Sequence, residues 1–239
     1  MKNDALPALK ALDAPDALDP SGFERLLATR ASCRGFLPTP LPRPLIERIL
    51  AATQRTASWN NTQPWQVIVT DAPATESLRQ ALQSQQPEPA GFEIPPPAEY
   101  RGVYLERRRA CGWGLYAAVG VAKGDREASQ RQANENFRMF GAPHLALLTS
   151  DKALGTYGVL DCGGWVNNFL LAAASHGVAT IAQAALAQRS AFLRRWFGIP
   201  EDRTIVCGIS FGYADTAHPA NSFRTPRAPL AEVVRWVDQ

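Results

Sequence analysis

Ser58-Trp59-Asn60-Asn61-Thr62-Gln63-Pro64-Trp65 decides how this chain is read. Eight residues carry one serine hydroxyl, three side-chain amides and two indoles, just before a run of β-branched residues. Amides and hydroxyls donate to and accept from the edge of a heterocycle, and indoles can cover its face. Asn and Thr are also ordinary turn residues, and Trp65 is a natural first residue of a buried strand. Both readings put a strand at Trp65 to Thr70, bounded by Pro64 and by Asp71-Ala72-Pro73.

Upstream, Ser21 and Glu24 form a Ser-x-x-Glu capping box ahead of Leu26 and Leu27, which predicts a helix from Ser21. Pro44 suits the first turn of a second helix to about Gln54, with Ile46, Ile49, Leu50 and Thr53 at helical spacing. Downstream, helices are expected over Glu76–Gln85, Tyr104–Gly120, Glu127–Phe137, Ser190–Phe197 and Pro229–Val237, the last short and amphipathic. Strands are expected over His144–Thr149 and Thr204–Phe211. Val159 to His176 is apolar nearly all round and ends before Gly177, which suits a C-cap. A helix of that kind is buried on several sides, in the core or against another subunit. The stretch from Pro87 to Pro97 holds five prolines and reads as a loop, a candidate lid. Few strands among many helices indicate a layered α/β arrangement. Residues 1–20, with Pro7, Pro15 and Pro20, read as a flexible lead-in, and 21–239 as a single domain.

Composition narrows the function. Hydrophobic residues make up 46% and charged residues 20% of 239, an ordinary globular balance. A net charge of +3, from 25 basic and 22 acidic residues, is too weak a bias to expect nucleic acid as a partner. Arg107-Arg108-Arg109 reads as a solvated helix face. No apolar run is long enough to suggest a membrane span. The first twenty residues lack the basic start and apolar run of a secretory signal, and Cys33, Cys111, Cys162 and Cys207 form no Cys-x-x-Cys pair. The expected compartment is therefore the cytoplasm, with the thiols as small core residues. His144, His176 and His218 have no metal-ligand spacing, so no metal is expected. Neither Gly-x-Gly-x-x-Gly nor a P-loop is present, which disfavours those nucleotide cradles. No Gly-x-Ser-x-Gly elbow or triad can be assembled.

Two further segments carry dense polar chemistry. Arg30-Ala31-Ser32-Cys33-Arg34 sets two planar, bidentate donors around a hydroxyl, a cradle for phosphate or a carbonyl-rich ring, or else a basic helix end. Beyond the last strand come Gly212-Tyr213-Ala214-Asp215 and Asn221-Ser222-Phe223-Arg224-Thr225-Pro226-Arg227. Their two arginines could clamp a dianion or lie in a solvated basic loop.

Taken in order, these segments resemble the FMN-dependent nitroreductase family, over about Phe23 to Trp236. The marks are Arg-x-Ser-x-Arg at Arg30–Arg34, Ser-x-x-Asn-x-Gln-Pro-Trp at Ser58–Trp65, Phe140-Gly141-Ala142-Pro143, the Gly212–Asp215 turn, and Arg227 shortly before Pro229-Leu230. The sequence departs from the family at Ala57, where many members carry proline, and at Gln183, where some carry glutamate. The resemblance implies an α+β fold of three α/β/α layers with a central mixed, largely antiparallel sheet, in an intertwined homodimer. It implies FMN as cofactor, NAD(P)H as electron donor and a small-molecule acceptor such as a nitroaromatic, with ping-pong hydride transfer through flavin N5. No side chain need act as acid or base, and the arginines would favour the reduced ring electrostatically.

Carried over residue by residue, Arg30, Ala31, Ser32 and Arg34 fall in the segment that holds the phosphate, ribityl chain and ring edge. Ser58, Asn61 and Gln63 match the motif that reaches FMN, part of it from the partner subunit. Gln183 and Ala184 fall where backbone donors lie near N5, and Arg227, with Arg224, matches the phosphate-binding arginine. Alternatives on the same fold are reductive dehalogenation, dehydrogenation, flavin breakdown, or a non-catalytic flavin-binding redox sensor.

Overall fold

The computed structural model describes residues 20–84 and 91–238. The expected lead-in thus lies outside the described residues except for Pro20. Four strands form one sheet: β1 (Trp65–Val69), β2 (His144–Asp151), β3 (Ala179–Gln183) and β4 (Arg203–Gly212). Their order is β1-β2-β4-β3, and every pair is antiparallel. A parallel element enters only as a single bridge between Ser32 and Thr180 on the outer edge of β3. The expected mixed, largely antiparallel sheet is what forms.

β2 is buried nearly throughout because strands flank it on both sides and helices cover both faces. One face packs Leu145, Leu147, Ile181 and Ile205 against Leu78, Leu82, Phe192 and Leu193. These last come from α3 (Ala72–Ser84) and α7 (Ser190–Phe197). The other face packs Ala146, Leu148, Ile209 and Phe211 against Ile46, Ile49, Trp165 and Phe169. They belong to α2 (Arg43–Thr53) and α6 (Gly155–Ser175), which completes a helix–sheet–helix sandwich.

Most expected elements form within a few residues of their predicted bounds. Gly177 closes α6 at φ 70°, in the left-handed region that a C-cap glycine occupies without strain. Four expectations are corrected. The first helix, α1 (Ser21–Thr29), has Pro20 rather than Ser21 at its cap position, and Glu24 N–H donates to Pro20 O at 2.9 Å. β3 was not foreseen, because Ala-Thr-Ile-Ala-Gln has no strong alternation. Pro229–Val237 has no α-helix, only a 3-10 turn at Leu230–Glu232. With Val233, Trp236 and Val237 exposed, so short a segment has no apolar surface to stabilise it as a helix.

The proline-rich stretch is not a free lid where it is described. Gly91 N–H donates to Gln188 O at 2.9 Å, and Phe92 packs against the core. The Glu93 carboxylate accepts from Arg194 and from Ile205 N–H at 2.7 Å. Residues 85–90 of that stretch lie outside the described residues. After it come α4 (Gly102–Ala118), which buries none of its side chains, and α5 (Arg126–Asn134).

Candidate active site

The site grows from the outer edge of β3. Thr180 O accepts Cys33 N–H at 2.9 Å, so the 30–34 segment lies along that edge like a short fifth strand. Main-chain groups alternate between the two edges of a strand, so Ala182 shares the outer edge with Thr180 while Gln183 turns toward β4. Ala184 follows at the strand's end.

Two cavities use these elements as walls. The first, of about 400 Å³, is lined by Arg30, Ala31, Ser32, Thr180, Asn221 and Arg224, with the end of α6 behind it. The second, of about 300 Å³, is lined by Arg34, Tyr116, Asn136 and the stretch from Ile181 to Ala185. They lie toward opposite ends of β3, which spans roughly 13 Å at about 3.3 Å per residue.

Arg30, Arg34, Arg224 and Arg227 surround this edge, and among the described residues none is paired with a carboxylate. Burial lowers the pKa of Arg34. Burial, followed by repulsion from Arg227, lowers that of Arg30. Clustered, partly desolvated guanidiniums without counter-charge are costly alone and suit a bound dianion. Arg224 donates to Asn221 O at 2.6 Å and Arg227 to Thr225 Oγ1 at 2.9 Å, so both are aimed by their own turn. The chemistry of this donor set fits a phosphorylated ligand with a flat ring beyond it, as FMN has.

Asn221, which sequence reasoning passed over, organises the cluster. Its Oδ1 accepts Arg34 N–H at 2.6 Å, and its Nδ2 donates to Gly35 O and Asp215 O, both at 2.8 Å. It ties the 30–35 segment to the turn after β4. Gly35 is required there, since a Cβ would lie 2.3 Å from His218 Cγ. The only advance signal was an asparagine two residues before Phe223-Arg224.

The amide motif is built differently. Asn60, Asn61 and Gln63 all have positive φ, at 50°, 55° and 46°. Left-handed backbone costs about 1–3 kcal/mol per non-glycine residue and persists where surrounding structure enforces it. Ser58 Oγ accepts Gln63 N–H at 2.9 Å, and Gln63 Oε1 accepts from Gln54 at 3.1 Å. Gln54 in turn holds Trp65 Nε1 at 3.0 Å. Ser58 and Gln63 thus shape the loop, while the exposed Asn61 side chain has no hydrogen bond among the described residues.

Within one chain this loop does not meet the arginines. Trp59 N–H donates to Asp161 in the second turn of α6 at 3.1 Å, whereas the first cavity abuts Ala174 and Gly177 at the far end. At about 1.5 Å per residue, Asp161 and Ala174 stand roughly 20 Å apart along the helix. The structure therefore gathers Arg30, Ala31, Ser32, Arg34, Gln183, Ala184, Arg224 and Arg227 around one strand edge. It leaves Ser58, Asn61 and Gln63 apart from them.

The sequence model of the Nitroreductase family matches residues 27–213. Nitroreductase NfnB of Mycolicibacterium smegmatis is 34% identical over 215 residues, which covers 89% of this chain and 92% of that protein. A 4-nitrobenzoate reductase of Pseudomonas putida is 32% identical over 212 residues, covering 88% and 93%. The crystal structure of the FMN-dependent nitroreductase NfnB from Mycobacterium smegmatis, in complex with NADPH, superposes with a TM-score of 0.85. That match has 32% identity and covers 91% of this chain and 99% of that one. With the α+β sheet, the basic edge of β3 and the strained amide loop in place, the chain belongs to the nitroreductase family.

Proposed function

We propose that this protein is an FMN-dependent NAD(P)H oxidoreductase that reduces nitroaromatic or similar small acceptors by a ping-pong mechanism. The observation that carries the reading is the set of four guanidiniums without counter-charge along the outer edge of β3, continuous with a cavity walled by Arg34 and Ala184. The relatives point the same way: one is described as FMN-dependent and bound to NADPH, and another is named for 4-nitrobenzoate.

When bound, FMN supplies the redox chemistry, taking hydride at N5 from NAD(P)H and passing electrons to the acceptor. Arg30, Ser32, Arg224 and Arg227 hold the phosphate and ribityl chain. Arg34 sets a buried positive charge beside the ring, which favours its anionic reduced form. The edge of β3 near Ala184 offers main-chain groups to the ring. No side chain need serve as acid or base.

The functional unit is a homodimer, and the second copy supplies Asn61 on the loop shaped by Ser58 and Gln63. Two observations support this: the roughly 20 Å gap within one chain, and the face of α6 that carries Tyr157, Leu160, Gly163 and Asn167 in the open. Leu160 is 67% exposed, an unusual place for a helical leucine unless a partner covers it. Residues 21–239 act as one domain. All four cysteines are free thiols, which suits a cytoplasmic enzyme.

The test is direct. Purified protein should be yellow and release FMN on denaturation. With NADH or NADPH and a nitroaromatic acceptor, reciprocal rate plots should be parallel. Intersecting lines, or a colourless protein that ignores added FMN, would overturn the reading.

A further inference from the structure

Gln183 is 2% exposed at the end of β3, and its side chain does not enter the cavity chemistry directly. Its Oε1 accepts a hydrogen bond from Ser210 Oγ on β4. Its Nε2 donates to Asn136 O at 2.9 Å and to Asn136 Oδ1 at 3.2 Å. Asn136 Nδ2 is itself turned to Ala133 O at 3.0 Å. A main-chain carbonyl can only accept, so the group opposite Asn136 O must carry hydrogens. An amide meets that demand. An ionised carboxylate, acceptor only, cannot.

The charged surroundings sharpen the point. Arg34 lines the same cavity as Gln183 and Asn136. Glu135 and Arg138, on the segment that carries Asn136, pair with each other at 3.3 Å. Arg189, on the turn after β3, lies over the Phe137 ring at 5.0 Å. β4 brings no charge between Thr204 and Phe211, and burial pushes the Cys207 thiol up to about 12. Arg34 is therefore the charge that an ionised group at position 183 would chiefly perturb.

We propose that Gln183 is a positioning residue. As a neutral splice between β3, β4 and the turn after α5, it fixes the floor of the ring cavity, and its lack of charge leaves Arg34 unneutralised beside the flavin. The inference deepens the FMN reading and rests on it. It also explains why glutamine, rather than glutamate, suits this chain.

The test compares wild type, Gln183→Glu and the uncharged Gln183→Met from pH 5.5 to 9, reading FMN dissociation and the midpoint potential of the bound flavin. Thermal melts of the flavin-free proteins serve as the folding control. A protonated carboxyl at position 183 can donate to Asn136, so Gln183→Glu should hold FMN nearly as well as wild type at low pH. As pH rises and that proton is lost, its FMN dissociation constant should rise at least tenfold and its potential should fall. Gln183→Met should bind FMN more weakly at every pH, with no added pH dependence, and wild type should stay flat. The inference is overturned if Gln183→Glu tracks wild type across the range, or if the two variants share one pH profile. A wild type that binds no FMN would sink the functional reading itself, an outcome separate from either of these.

Discussion

The side-chain carbonyl of Asn221 accepts the main-chain N–H of Arg34 at 2.6 Å, across 187 positions of chain. The contact fixes backbone rather than charge, so it controls where the guanidinium starts and not what it binds. Replacing Asn221 with Ala strands one main-chain donor at Arg34 and two carbonyls, at Gly35 and Asp215. Leaving a part-buried group unpaired costs about 1–3 kcal/mol. The Asn221→Ala protein should melt several degrees lower without flavin and lose FMN more readily. Loss of flavin affinity with an unchanged melting temperature would mean that Asn221 touches the ligand instead.

Arg34 should show the opposite split. Its guanidinium is partly desolvated and unpaired by any carboxylate among the described residues, so removing it relieves a cost in the empty protein. Arg34→Ala should weaken FMN binding at least tenfold, or about 1.4 kcal/mol. The flavin-free melting temperature should move by less than about 3 °C, the shift of roughly 1 kcal/mol in a chain this size. Equal losses in titration and melting experiments would make the side chain structural.

These contrasts mark what the sequence could and could not disclose. The arginine and amide motifs were legible because their residue types are chemically conspicuous and close together in the chain. The strands at Trp65, His144 and Thr204 were legible from apolar runs between turn signals. β3 was not, because a five-residue edge strand with two alanines gains its identity from β4 and from the bridge at Ser32. Asn221 and the Gln183–Asn136–Ser210 junction were invisible because their partners lie far away in sequence. The expected C-terminal helix failed for the converse reason: local periodicity without a surface to pack on does not hold a helix.

His144 gives a pH dependence whose sign follows from its bonds. The ring is 2% exposed, its Nε2 accepts Leu41 N–H at 2.9 Å, and its Nδ1 donates to Thr70 O at 3.1 Å. Both bonds require the neutral ring, and burial lowers its pKa below the ordinary value near 6.5. In the window between the folded and unfolded pKa values, the unfolded chain binds more protons. Stability from this site is therefore complete above about pH 6.5 and is lost as pH falls toward the lower folded pKa. Melting temperatures between pH 7.5 and 5.5 should decline, and His144→Leu should lie lower throughout with a shallower slope. An unchanged slope in that variant would assign the dependence to other groups.

The Glu93–Arg194 pair predicts how the proline-rich stretch is anchored. Arg194 also donates to Ile199 O at 3.2 Å and Arg203 O at 2.8 Å, so it is held whether or not Glu93 is present. Removing Glu93 leaves this charge and the Ile205 N–H short of a partner, and breaking such a buried pair costs roughly 3 kcal/mol. Glu93→Ala should lower the melting temperature by several degrees and raise protease cleavage between residues 91 and 101. Unchanged cleavage would show that Gly91 and Phe92 suffice as the anchor.

The two-subunit site can be tested without a second structure, by complementation. Arg34 lies along β3, and Asn61 lies on a loop beside the opposite end of α6, so each proposed site takes Arg34 from one copy and Asn61 from the other. Arg34→Ala and Asn61→Ala should each lose most FMN-dependent activity as homodimers. When the two are unfolded together and refolded as an equal mixture, about half the dimers by random pairing carry one of each. Such a mixed dimer has one site with both side chains intact and one with neither, so roughly a quarter of wild-type activity should return. If both residues served the same site from the same chain, every site in the mixture would keep one lesion. No recovery in mixtures shown to contain the mixed dimer would then place Asn61 outside its partner's site.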